Sequence, residues 1–324
     1  MQLTDWLLAN SKRLSLKADK YSWVDEWLPG FFDYGAIITI DNKTFSGRGI
    51  DKNEETAFQK AAAEALERAA VDMACLEMPW STAAYPTAAG AEERAYYELL
   101  GIDRIFCHHY CARKMRELPL EEFAGFFPDA HLALVLKKNN LDVRLYELRA
   151  SMDAKIVCAI ATGGTPSRIG GFVAGFGTDK TIKLAVRHAL IECLRTAVVC
   201  LFTDYIPEEP LEVLKRRGEP RWHFWQAQTA ESLRYLRENL LPEPGKPKIL
   251  EPEEISISDV SFNKIQSLNS AFPDIPLVFT QARSSKLIIP QFGDFTFNSA
   301  IMERLRNFNG GPVSIDTAIP HFYG

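Results

Sequence analysis

No stretch of this chain approaches the roughly 18 uninterrupted apolar residues of a membrane-spanning helix, so none is expected. Residues 1–13 carry Asp5 and an interrupted apolar stretch where a secretory signal has a basic start and an apolar core; no signal peptide is expected. Broad positive charge is also lacking. With 37 Lys and Arg against 42 Asp and Glu, a formal charge of −5 and a pI near 5.8, double-stranded nucleic acid is excluded as the main partner. No G-x-x-x-x-G-K-[ST] occurs, so there is no P-loop. Cysteine is scarce: six in 324 residues, mostly in apolar runs such as 189–202, which reads as reduced thiols acting as small hydrophobes. A soluble, cytoplasmic protein is expected. What the chain does have is 47% apolar residues at a length able to bury a large core.

It also carries one local pattern twice. Residues 47–69 and 175–197, offset by 128, agree at Gly47/Gly175, Gly49/Gly177, Asp51/Asp179, Lys52/Lys180, Ala57/Ala185, Ala61/Ala189, Glu64/Glu192, Leu66/Leu194 and Ala69/Ala197. Those nine matches compare with roughly one or two for unrelated sequence of ordinary composition. An internal duplication is expected, and modules of that kind tend to pack about a pseudo-twofold that would bring Glu64 and Glu192 together.

The predicted fold class is α+β: two strand–strand–helix modules with mixed sheets and stacked helices, within a core spanning residues 1–205, the copies near 35–76 and 143–203. Residues 3–17 read as an amphipathic helix. Residues 35–40 and 44–45 flank an Asp41-Asn42 turn, and a helix runs from 53 or 54 to about 76. Residues 85–126 read as helices and loops. Residues 132–137 and 143–149 resemble a hairpin around Asn139-Asn140, 155–161 a third strand, 163–177 a glycine-rich loop, and 180–203 the second helix. Residues 206–254 read as a helical, proline-rich connector, with Pro242, Pro244, Pro247 and Pro252 close together. Residues 255–324 suggest a small α/β closing unit, with strands near 256–260, 277–280 and 286–289 and helices near 262–271 and 299–308.

In the first predicted helix Ala57, Ala61, Glu64 and Arg68 share a face bordered by Glu67; in the second, Ala185, Ala189, Glu192 and Thr196 do the same. Alanines admit close approach of a neighbour, and the glutamates one turn on supply hard oxygens suited to magnesium or calcium with phosphate. Two unit charges about 4 Å apart repel by roughly 4 kcal/mol at an effective dielectric near 20, so facing carboxylates need a cation or an arginine such as Arg68, Arg187 or Arg195. The plain alternative is solvated helix charges forming weak pairs; the repetition of the glutamate while its neighbours change argues against it. Other groupings are weaker. Cys107-His108-His109-x-Cys111 lacks the usual zinc spacing and reads as structural. Lys215, Arg216, Arg217, Arg221 and the run Trp222-His223-Phe224-Trp225 read as a helix end beside a packed tryptophan. Cys193 reads as core.

The order G-R-G, alanine-rich helix, E-x-x-E-R, then Gly-x-Gly-x-Asp and A-L-x-E, over residues 35–205, resembles the YcaO family, with echoes at residues 286–290 and 320–322. The resemblance implies ATP- and Mg2+-dependent activation of a peptide-bond oxygen by phosphorylation, leading to azoline or thioamide formation in a ribosomal peptide. It implies Glu64, Glu67 and Glu192 as magnesium carboxylates and Arg68 as a phosphate partner. Gly47, Arg48, Gly49 and Arg187 join Arg68 as candidate nucleotide contacts; no catalytic residue is assigned. Implied partners are a peptide or protein substrate and a leader-binding or TfuA-like protein, with a homodimer left open. This chain has two such helical motifs where the family carries three. That favours, as an alternative, a catalytically reduced binding or scaffold subunit of a peptide-modification complex.

Overall fold

Why each segment adopts its local structure is visible in its ends. In the computed structural model, which describes residues 2–76, 81–123, 129–163, 171–202, 210–217, 220–242, 251–289, 297–315 and 321, the chain runs α1 (Leu3–Asn10), β1 (Lys17–Lys20), α2 (Trp23–Trp27), β2 (Phe32–Ile40), β3 (Lys43–Asp51), α3 (Glu54–Met73), β4 (Thr82–Tyr85) and α4 (Ala88–Tyr110). It continues through β5 (Arg116–Leu118), α5 (Asp129–Lys138), β6 (Leu141–Leu148), β7 (Lys155–Gly163), β8 (Phe172–Asp179), α6 (Ile182–Phe202), α7 (Leu211–Arg216), α8 (Pro220–Ala227) and α9 (Ala230–Tyr235). It ends with β9 (Ser261–Ile265), α10 (Ser267–Ala271), β10 (Val278–Arg283) and α11 (Ser299–Asn309). The β2–β3 hairpin turns at Asp41 and Asn42, both at positive φ, as a two-residue turn matched to strand twist requires. Asn53 caps α3 by accepting from the Thr56 N–H at 2.9 Å. Asn298 and Gly310 cap the two ends of α11.

Two units follow from the contacts. The first comprises Met1–Leu99 and Val260–Arg283. It holds one sheet of order β1-β2-β3, covered by α3, and a second of order β4-β10-β9, both antiparallel. Its core joins Trp6, Leu7, Ile38, Leu66 and Phe279, with Trp6 edge-on to Phe272. The second comprises Leu100–Asp259 and Ser284–Gly324. It holds the antiparallel sheet β5-β6-β7-β8, with α6 packed on β7 and β8, and a core in which the end of α4 meets α11 through Phe106, Leu305 and Phe308. No helix among the described residues is long and apolar enough to cross a membrane.

The α+β class stands, but the sheets are antiparallel throughout rather than mixed. The predicted opening helix stops at Asn10, because 17–20 pairs with β2 instead. Residues 132–137 are helical: Leu132, Val135 and Leu136 are buried at helical spacing, which a short apolar run does not separate from a strand, and Asn140 at φ 54 ends the helix where a hairpin was expected. Within the expected glycine loop 163–177, Phe172–Asp179 is a strand; 164–170 lie outside the described residues. The proline-rich connector includes the packed helices α7 to α9, with Trp222, Leu236 and Leu240 buried; Pro244 and Pro247 fall outside the described residues. Residues 255–324 divide between the two units, because β10 pairs with β4 on one side and with β9 on the other, while 286–289 makes no strand. Near 257 a 3-10 turn replaces the expected strand, and the expected helix at 262–271 is β9 followed by α10.

Candidate functional site

In the first unit α3 lies directly on β3 because Gly47 and Gly49 have no side chains. A Cβ on Gly47 would strike the Ala61 carbonyl and the Ala65 nitrogen, and one on Gly49 the Ala57 carbonyl and the Ala61 nitrogen. That closeness lets Glu64 reach back to the strand. Its Oε2 accepts the Arg48 backbone N–H at 2.8 Å, and its Oε1 accepts Arg68 Nη2 at 2.6 Å, while Arg68 Nη1 donates to the Ser46 carbonyl at 2.7 Å. The Glu64 and Arg68 side chains are 36% and 55% exposed, so both ends of this pair meet solvent. The Arg48 side chain points the other way, as strand alternation dictates. Its guanidinium grips buried Asp33, with Nη2 at 2.6 Å from Oδ2, and lies 4.1 Å over the Tyr21 ring; Trp23 Nε1 also donates to Asp33. Of the predicted nucleotide contacts, Arg48 is therefore held at Asp33 by its side chain and offers Glu64 its backbone.

Glu67 is turned toward β4. Its Oε1 accepts the Thr82 hydroxyl at 2.8 Å and its Oε2 the Ala84 N–H at 3.0 Å. Burial raises its pKa to about 7; the Thr82 hydrogen bond opposes this and the Glu64 charge adds to it. A carboxyl raised in this way holds a proton when folded that it releases when unfolded, so its stabilising contribution is present below about pH 4.5 and lost as pH rises through about 7. Between pH 5 and 7.5 the first unit should lose about 2 kcal/mol of stability, a loss that Glu67→Gln should largely flatten. Urea unfolding midpoints of both proteins at the two pH values check this; parallel pH dependences would remove Glu67 as the source.

In the second unit the positions offset by 128 make matching contacts. A Cβ on Gly175 would meet the Cys193 nitrogen and Ala189 carbonyl, and one on Gly177 the Ala185 carbonyl and Ala189 nitrogen. Glu192 Oε2 lies 3.4 Å from the Phe176 N–H, as Glu64 lies on Arg48, and its Oε1 is 3.9 Å from Arg195 Nη2. Its side chain is 49% exposed. Thr196, standing where the first helix has Arg68, turns its hydroxyl back to the Glu192 carbonyl at 2.8 Å. Lys60 reaches Asp51 at 2.6 Å, and His188 lies 3.9 Å from Asp179 at the offset positions. Arg187 is half-buried on α6.

The remaining sequence candidates resolve as structure. His108 sits with Nδ1 2.8 Å from the Arg113 carbonyl while its Nε2 accepts the Arg149 N–H at 2.9 Å; burial lowers its pKa to about 3. Cys107 is buried against Asp103, and Cys111 meets the Leu305 carbonyl. Burial pushes the Cys193 thiol up to about 12, far from a nucleophile at neutral pH. His223 is buried, 2.8 Å from the His321 carbonyl. Sequence reasoning missed a buried charge network in the second unit. Asp103 is bonded by Arg304 at 2.6 and 2.8 Å and by Arg104, it accepts the Ile288 N–H at 2.8 Å, and Arg304 reaches Glu253 at 2.6 Å. Only the adjacency Asp103-Arg104 on a helix otherwise apolar on that side signalled it.

Among the described residues no group of three His, Cys, Asp or Glu side chains is gathered as a ready metal cage. The donor chemistry still suits magnesium with phosphate at Glu64 and Glu192. Both are hard carboxylates at least a third exposed, each with one oxygen on a strand N–H and the other on or near an arginine. Glu67 fits less readily, since both its oxygens hold β4.

No protein-family model and no curated protein matches the sequence. Solved structures do. The chain is similar to the structure of YcaO from Methanopyrus kandleri bound with AMPPCP and Mg2+, at 14% identity and TM-score 0.57, covering 91% of this chain and 94% of that one. It is similar to a heterocyclase in complex with substrate and cofactor, at 12% identity and TM-score 0.64, covering 99% of this chain and 57% of that one. It is also similar to the Escherichia coli microcin synthetase McbBCD complex, at 13% identity and TM-score 0.60, covering 91% of this chain and 95% of that one. What is shared at such identities is the fold: the chain has a YcaO-like fold.

Proposed function

We propose that this chain is a YcaO-type, ATP- and Mg2+-dependent modifier of a peptide backbone, activating an amide oxygen by phosphorylation on the way to an azoline or a thioamide. The observation that carries the reading is the repeated carboxylate: Glu64 and Glu192 each lie on the backbone N–H between two glycines against which a helix is packed. A glutamate held by the strand beneath it is pre-aimed, so little side-chain entropy is lost when a cation binds. Similarity to a structure bound with AMPPCP and Mg2+ and to a heterocyclase in complex with substrate adds support at the level of fold. The roles are then these. Glu64 and Glu192 would hold magnesium, and Arg68 and Arg187 would meet phosphate oxygens; Gly47 and Gly49, buried beneath α3, serve by seating that helix and not as the nucleotide contacts expected of them. Glu67 contributes charge in its ionised form. Magnesium would neutralise the phosphates and favour transfer of the terminal one. A leader-binding or TfuA-like partner protein would deliver the peptide.

Calorimetry with AMPPCP and magnesium tests the reading. Micromolar binding that needs the metal is expected, weakened about 100-fold by Glu64→Ala or Glu192→Ala. Because Glu67 ionises near pH 7, binding should strengthen from pH 6 to pH 8. Well-folded protein that binds no nucleotide at millimolar concentration would falsify the enzymatic reading. One observation favours a scaffold subunit instead: Glu67 and the Arg48 side chain are both engaged inside the first unit. Peptide binding retained when both Glu64 and Glu192 are alanine, with no nucleotide binding in the parent chain, would select that reading.

A further inference from the structure

β6 in the second unit has an open edge. It pairs with β7 along its whole length, whereas β5 covers only Leu145, Tyr146 and Glu147. Among the described residues no strand pairs with the outer side of 141–144, and such an edge presents a row of N–H and C=O groups to whatever chain can add there. Leu141, Asp142 and Val143 also line a cavity of about 810 Å³, within the range of ligand pockets. Phe123, Leu132, Leu136 and Leu190 give it an apolar lining, and a smaller cavity of about 180 Å³ shares Asp142, Thr162 and Arg237 with it.

Charge selects the occupant further. Lys137 and Arg237 line the larger cavity, and their side chains form no ion pair or hydrogen bond among the described residues. Of the two carboxylates among its described lining residues, Asp142 is held by Arg144 at 2.9 Å, which leaves Glu121 against two cations. We propose that this edge and cavity dock an extended peptide with alternate apolar residues and an acidic group. The peptide adds as a strand along residues 141–144, its apolar side chains enter the cavity, and its carboxylate meets Lys137 and Arg237. An acyl chain with a carboxylate would fill the same cavity and leave the strand edge bare, so the unpaired backbone favours a peptide. The inference rests on the peptide-modifying reading for the identity of its occupant: it assigns where the chain to be modified is held, by residues that do not include the glutamates.

The probe is the fluorescein-labelled peptide Glu-Val-Thr-Val-Thr-Val-Glu, titrated by anisotropy into the full chain without nucleotide. Saturable binding is expected. It should weaken at least tenfold when both Lys137→Glu and Arg237→Glu are introduced, and at least tenfold when alternate amides of the probe are N-methylated. Both lysine and arginine are exposed on helical backbone, so circular dichroism should show an intact fold. Absence of saturable binding up to 1 mM overturns the proposal, as does binding indifferent to the charge reversals. Equal affinity of the N-methylated probe with displacement by laurate overturns it too, assigning the cavity to acyl carboxylates. Calorimetry with AMPPCP and magnesium on the same preparations separates the two readings: loss of nucleotide binding alone leaves the docking edge standing, and loss of probe binding alone leaves the nucleotide reading standing.

Discussion

Replacing Asp103 by alanine should lower the stability of the second unit by about 3–5 kcal/mol, the usual cost of leaving buried charge uncompensated. Arg104 is fully buried and Arg304 is 7% exposed, and with Asp103 gone the two guanidiniums share Glu253 as their carboxylate among the described residues, with the Arg149 carbonyl on Arg104 Nε. The Ile288 N–H loses its acceptor as well. Burial pushes the Asp103 carboxyl up, yet the charges and hydrogen bonds of Arg304 and then Arg104 more than offset it and hold it below the ordinary value. That stabilisation is present above the unfolded carboxyl's pKa and lost as pH falls through the lowered one. A drop of this size corresponds to roughly 10 °C in melting temperature for a unit of this length. Exchanging Asp103 and Arg304 together for leucine should recover much of the loss, because the buried charge leaves with its partner. Thermal unfolding of the single and double variants decides; an Asp103→Ala protein melting within a degree or two of the parent would show that water reaches the network.

The second large effect is at the strand–helix contacts. Gly49→Ala and Gly177→Ala each push a methyl group into helix backbone, at the Ala57 carbonyl and Ala61 nitrogen in one unit and the Ala185 carbonyl and Ala189 nitrogen in the other. Backbone cannot step aside as a flexible side chain can, so each should cost about 3 kcal/mol, the upper part of the overpacking range. The glutamate bond to the neighbouring strand N–H should loosen with it, weakening magnesium-nucleotide binding even where the protein folds. Gly311→Ala, with nothing near its added carbon and no positive φ, serves as the neutral control. Equal expression and unfolding midpoints for Gly177→Ala and Gly311→Ala would show that α6 is not seated on β8 as described.

Several features were legible in residues alone because their causes are local. The Asp41-Asn42 turn, the start of α3 at 53 or 54 and its alanine face each follow from neighbours a few positions apart. The pairing of Gly47 with Glu64 and of Gly175 with Glu192 was readable as a repeated spacing, since a glycine pair and an alanine-lined helix face are two halves of one contact. Residues 132–137 misled because five apolar residues in a row satisfy both periods, and only burial of Leu132, Val135 and Leu136 on one side separates helix from strand. The engagement of Arg48 by Asp33 was invisible for another reason: the two lie across a hairpin register that no spacing rule announces.

By itself, then, the amino-acid order determined the α+β class, the two glycine-and-glutamate helices and the structural status of the cysteine–histidine cluster. These depend on periodicity, turn chemistry and composition, which act over a few residues. Tertiary structure decided which carboxylates are spent and which are available. Glu67 is fastened to β4, Asp103 is enclosed by two arginines, and residues 260–283 leave the carboxyl-terminal region to complete the first unit. Such outcomes are set by strand pairing and by the desolvation of charges between segments as much as 200 residues apart, where burial and not spacing fixes the energy.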